Sequence, residues 1–97
     1  MKVRNLAEQY KDQIIAWRRD IHACPEVAWT ETETSDKVAA ELQSMGLTVT
    51  RLSPSGVIGV LSGTGPGKTV ALRADMDALA ITEASDLPYK STKPGAM

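Results

Sequence analysis

Apolar residues at Leu6, Tyr10, Ile14, Trp17 and Ile21 recur at steps of four, four, three and four, which paints one stripe along an α-helix. Asn5 stands where an N-cap would, Glu8 answers it at the third helical position, and Pro25 forbids helix at Cys24 and beyond. A second helix is signalled by Thr30 with Glu33 three residues on, a capping-box arrangement. Val38, Ala39, Leu42 and Met45 follow on one face, and Gly46 supplies a left-handed C-terminal cap. The period then changes. Residues 47–52 are a short β-type run rich in Thr and Val, and Ser53-Pro54-Ser55-Gly56 is its turn. Residues 57–62 and 69–74 read as two more strands, joined by Gly63-Thr64-Gly65-Pro66-Gly67 in a hairpin. The predicted order is α-α-β-β-β, an α/β chain. Beyond Ile81 no period is sustained, and extended or looping chain is expected through Met97.

Composition narrows the class without naming it. At 97 residues, 42% hydrophobic and 24% charged, the chain holds one domain at most and suits a folded protein more than a disordered one. A chain this short hides only about 60–65% of its unfolded surface, so a large core is not expected. The net charge of −1, with both signs interspersed, offers no basic field to nucleic acid or anionic lipid, so neither is expected as a partner. No apolar stretch approaches the ~20 residues of a membrane span. Cys24 is alone and cannot form an internal disulfide, and the opening residues lack the apolar stretch of a secretory signal; the cytoplasm is the expected compartment.

The strongest candidate for chemistry is Asp75 with Asp77, at the end of an apolar run. In a strand, residues two apart share a face about 6–7 Å apart, so both carboxylates could look into one pocket beyond the strand end. Such pairs serve hard cations or acid–base catalysis. The competing reading is a turn, since Asp is a common turn residue. Two other features mislead. Residues 62–69, Ser-Gly-Thr-Gly-Pro-Gly-Lys-Thr, nearly spell a phosphate-binding loop, but Ser62 replaces its first glycine and the residues after Lys68 are strand-like where a helix is required. His22, Cys24 and Glu26 cluster at a helix end, yet the chain's single His and single Cys cannot complete a zinc site. His22 and Glu26 are expected to stabilise the helix exit, with Cys24 packing as a small apolar group.

Taken together, Arg18-Arg19-Asp20-Ile21-His22 with Pro25-Glu26, then Gly56-Val57-Ile58-Gly59-Val60-Leu61, then Ala71-Leu72-Arg73-Ala74-Asp75-Met76-Asp77-Ala78-Leu79 resemble a known family. The chain resembles the N-terminal part of a metal-dependent amidohydrolase of the aminoacylase and carboxypeptidase superfamily, in the branch of hippurate hydrolases and auxin-conjugate hydrolases. Ala80 stands where that branch has Pro, and Cys24 where it often has His or a basic residue. The resemblance implies an incomplete, zinc-peptidase-like catalytic domain, and hydrolysis of N-acyl amino acids. The attacking water would bridge two divalent ions, zinc, manganese or similar, with a Glu as general base. Asp75 falls at the His, and Asp77 at the Asp, of the superfamily's His-x-Asp strand end. Asp77 is therefore expected to orient or tune a metal-binding group and Asp75 to line the pocket. The family's Cys and His metal ligands come after the position of Met97. Residues 1–97 are thus expected to be an N-terminal fragment that binds no metal and is inactive alone, and that associates with itself or with the missing remainder. A non-catalytic, self-associating α/β module is the alternative.

Overall fold

A computed structural model describes residues 2–97, with helices α1 (Val3–Ala23) and α2 (Thr32–Ser44) followed by strands β1 (Thr48–Arg51) and β2 (Val57–Val60). These fall into two compact units: the chain up to Pro25 together with Leu79–Met97, and Glu26–Ala78.

In the first unit, α1 starts from Lys2 as N-cap without a side-chain cap, so Asn5 lies inside the helix. The Asn5 and Leu6 amides both reach the Lys2 carbonyl, at 3.0 and 3.4 Å, and this backbone turn closes before Asn5 can act. The helix ends at Ala23, as Pro25 requires, with the Cys24 amide turned back to the Ile21 carbonyl at 3.2 Å. The apolar stripe forms, yet no α1 residue is buried; Leu6, Trp17 and Ile21 are partly covered, while Tyr10 and Ile14 are exposed. Residues 79–97 carry neither helix nor strand and are tied to the end of α1 by polar contacts. The Thr92 amide and hydroxyl both donate to the Ala23 carbonyl, at 2.9 and 2.7 Å, and the Arg19 guanidinium lies 4.2 Å from the centre of the Tyr89 ring. Leu79 and Met97 exchange backbone hydrogen bonds at 2.7 and 3.0 Å, which closes the segment into a loop.

In the second unit α2 begins at Thr32, and its N-cap Glu31 makes no side-chain cap bond to it. The expected capping box does not form, because the Thr30 hydroxyl donates to the Val27 carbonyl at 2.6 Å. Glu26 takes over the role from outside the helix. Its carboxylate accepts the amides of Glu33 (3.2 Å) and Thr34 (2.6 Å) and the hydroxyls of Thr32 and Thr34. A charged acceptor facing the positive end of the helix dipole is a stronger cap than a Thr hydroxyl. At the other end Gly46 adopts φ +87°, as the sequence predicts, with its amide on the Gln43 carbonyl at 3.0 Å and the Leu47 amide on Leu42 at 3.1 Å. This pair of bonds is the Schellman closure.

β1 and β2 form an antiparallel hairpin in the register Thr48↔Val60, Val49↔Gly59, Thr50↔Ile58 and Arg51↔Val57. Residues 52–56 close it, with the Leu52 amide on the Gly56 carbonyl at 3.0 Å and Gly56 at φ +113°; the Ser53–Pro54 peptide is cis. Gly59 faces α2: a Cβ there would stand 3.0 Å from the methyls of both Leu42 and Leu47. Alternation turns Ile58 and Val60, with Thr48 and Thr50 beside them, to the opposite face, which is open to solvent. The predicted hairpin between residues 57–62 and 69–74 is not formed: β2 pairs with β1 along one edge, no strand lies on its other edge, and among the described residues the sheet has two strands. Residues 69–74 meet no backbone partner and stay irregular, with Val70 and Leu72 exposed, so the order is α-α-β-β.

Candidate functional site

Asp75 and Asp77 lie at the end of the irregular run, and both are exposed. Their arrangement on one face presupposed a strand at 69–74, so the shared-pocket geometry loses its local basis. Asp75 pairs with Arg73 at 3.2 Å; both side chains are largely in water, where such a pair stabilises little. The run is fixed at its end. Ala78 forms a parallel bridge with Val27, and its amide donates to the Glu26 carbonyl at 2.8 Å. Asp77 thus precedes a residue anchored beside the turn that leads into α2.

That turn is built on buried polar groups. Glu26, Glu31, Thr34 and Ser35 are all buried, and no buried side-chain polar atom among the described residues lacks a partner. Glu31 accepts the Trp29 amide at 2.8 Å and the Ser55 hydroxyl, while the Ser35 hydroxyl accepts the Gly56 amide at 3.1 Å. Burial pushes the Glu26 carboxyl upward, but the Thr34 hydroxyl and amide, the Glu33 amide and the Thr32 hydroxyl together hold it below its ordinary value. Glu26 therefore serves the start of α2, and not the exit of α1 as the sequence suggested.

The first unit holds a separate cluster. The His22 Nε2 lies 2.6 Å from a Glu83 carboxylate oxygen, which also accepts the Ser91 amide at 2.9 Å; the other oxygen accepts the Ser85 hydroxyl. The Ser85 hydroxyl, then the Ser91 amide and His22, pull the Glu83 carboxyl down to about 2 against the effect of burial. The Ser91 hydroxyl in turn donates to the Ala96 carbonyl at 2.7 Å. Sequence reasoning missed Glu83 because it sits in an aperiodic segment 61 residues from its His partner. The only local signal was a carboxylate flanked by hydroxyl residues.

Cys24 is a half-buried free thiol. Among the described residues no three His, Cys, Asp or Glu side chains converge into a group that could hold a metal ion. No helix begins at Lys68 and residues 61–70 are exposed, so the glycine-rich stretch has no helix terminus to hold a phosphate. No helix among the described residues is long and apolar enough to cross a membrane.

The chain matches no protein-family model. It is 45% identical to a thermostable carboxypeptidase of Saccharolobus solfataricus, over 99% of this chain and 25% of the relative. It is 41% identical to an N-acyl-L-amino acid amidohydrolase of Geobacillus stearothermophilus, over 99% of this chain and 26% of the relative. Among solved structures it resembles the Bacillus subtilis YXEP protein, described as a dinuclear metal binding peptidase of the M20 family, with a TM-score of 0.85 and 34% identity over 93% of this chain and 26% of that one. The chain spans about a quarter of the length of the relatives it matches. Near-complete alignment at this identity, joined to a shared fold, places the chain in the metal-dependent amidohydrolase and carboxypeptidase superfamily.

Proposed function

We propose that this chain contributes the N-terminal portion of a hydrolase that cleaves the amide bond of N-acyl amino acids in the cytoplasm, and that it is inactive by itself. The observation that carries this reading is the 41% identity to an N-acyl-L-amino acid amidohydrolase across 99% of the chain, against 26% of that enzyme. The divalent ions of such an enzyme, zinc, manganese or similar, would find their ligands outside these residues. Asp77 is the group assigned to orient that centre, and Asp75 a residue of the pocket wall; the anchoring of Ala78 supports this placement by holding the end of their run.

The test is reconstitution. This chain, joined to the remaining three quarters of the Geobacillus amidohydrolase, should hydrolyse N-acyl amino acids, whereas the chain alone should not. In that fusion Asp77→Asn should lower turnover with little change in melting temperature; unchanged turnover would remove Asp77 from the mechanism.

A second reading, a non-catalytic module that self-associates, is favoured by the bare sheet face at Ile58 and Val60 and by the uncovered Val70 and Leu72. A monodisperse, cooperatively unfolding oligomer of the chain alone, with no activity in the fusion, would establish that alternative.

A further inference from the structure

We infer that Glu26 is a positioning residue for Asp77, an inference that rests on the amidohydrolase reading above. Asp77 has no ladder to hold it: residues 69–74 form no strand, and the Asp77 side chain is exposed. A side chain assigned to orient a reacting centre needs a fixed backbone, since a displacement of about 1 Å can cost a hundredfold in rate. A fixed point is supplied at the next residue. The Ala78 amide donates to the Glu26 carbonyl at 2.8 Å, and Ala78 pairs with Val27 in a parallel bridge.

That point is only as firm as the residue that provides it, and Glu26 is held through its side chain as well. Its buried carboxylate accepts the Glu33 and Thr34 amides at 3.2 and 2.6 Å and the Thr32 and Thr34 hydroxyls at 3.3 and 2.7 Å. Four donors from the first turn of α2 thus clamp the side chain, while the carbonyl of the same residue carries the end of the 69–78 run. A Ser, Thr, Asp or Asn at position 31 would serve the helix by itself. A carboxylate reaching in from Glu26 does more, because the residue that caps α2 also ties down the peptide that follows Asp77. Loosening the carboxylate therefore loosens the carbonyl, and with it the placement of Asp77.

The first test is amide exchange in the 97-residue chain and its Glu26→Gln variant. If Glu26 only caps α2, exchange quickens at Glu33 and Thr34 while Ala78 keeps its protection relative to Leu52, whose amide bonds to Gly56 in the same unit. Positioning predicts that Ala78 quickens with them, by about tenfold relative to Leu52. The second test is a double-mutant cycle on turnover in the fusion, at a temperature where every variant is folded. Glu26→Gln alone should lower kcat about tenfold with KM little changed. In an Asp77→Asn background it should cost less than about twofold more, because a residue that acts through Asp77 then has nothing left to position. Ala78→Pro removes the amide at the other end of the tie; it should lower kcat similarly, and it carries the cycle if Glu26→Gln does not fold. Unchanged exchange at Ala78, or effects of Glu26→Gln and Asp77→Asn that multiply in an active fusion, would overturn the inference alone. Turnover indifferent to Asp77→Asn removes the group to be positioned and the inference with it. An inactive fusion defeats the amidohydrolase reading, and the inference falls with that reading.

Discussion

Glu26 shows how one side chain can define an element that it does not belong to. It is 8% exposed and satisfies the two amides that a capping residue of α2 would otherwise take. In Glu26→Gln one terminal atom becomes an N–H donor facing other donors, so a loss of about 1–3 kcal/mol is expected in urea unfolding. Glu83 carries the clearest pH dependence. Its folded value of about 2 lies below the ordinary 4.5, so its contribution is complete above about pH 4.5 and is lost as the pH falls towards 2. Acid titration followed by amide exchange at Ser91 should show opening in that window, and Glu83→Gln should remove the pH dependence there. Trp17 belongs to the apolar stripe but is only partly covered. Trp17→Ala is expected to cost about 1–2 kcal/mol, short of the roughly 3–5 kcal/mol of a fully buried aromatic.

At the scale of elements, α2 and the β1–β2 hairpin pack through a glycine. Leu42 and Leu47, which flank the Schellman closure, occupy the space that a side chain at position 59 would need. Gly59→Val should therefore lower stability by about 1–3 kcal/mol through overpacking, measurable in urea, while Gly63→Val, with open space around it, should be near neutral. The helices and their limits were largely legible, since the spacing of Leu6 to Ile21, Pro25 and Gly46 each act through local geometry. The caps were not, because Glu26 reaches its amides from outside the helix. The third strand failed for a related reason. Val70, Leu72 and their neighbours have strand character, but a strand is stabilised by the ladder it joins, and this run does not join the free edge of β2.

For the whole molecule, surface is the informative quantity. Each unit by itself leaves large apolar side chains in water, Val3 at 81% and Leu79 at 63% exposed in the first, Leu72 at 97% and Val70 at 84% in the second. Apart from Pro25, Ala39 and Ala96, no apolar residue among the described ones is buried. Sedimentation of the isolated chain should therefore show self-association that rises with concentration, and joining it to the rest of a relative should suppress this. A monodisperse monomer at high concentration would count against both functional readings. The family resemblance read from the Arg-Ala-Asp-Met-Asp block agrees with the relatives found, although that block is irregular here.

The sequence by itself determined what depends on neighbours along the chain: the helical stripe of α1, its end at Pro25, the glycine closure of α2 and the family motifs. Tertiary structure decided what depends on residues far apart. It assigned Glu26 to the start of α2, drew Glu83 to His22, paired β2 with β1 and left residues 69–74 without a ladder. Local periodicity reports which face of an element is apolar. It does not report which distant carboxylate, strand or loop competes best for that element's amides and faces, and that competition is settled only when the chain is folded.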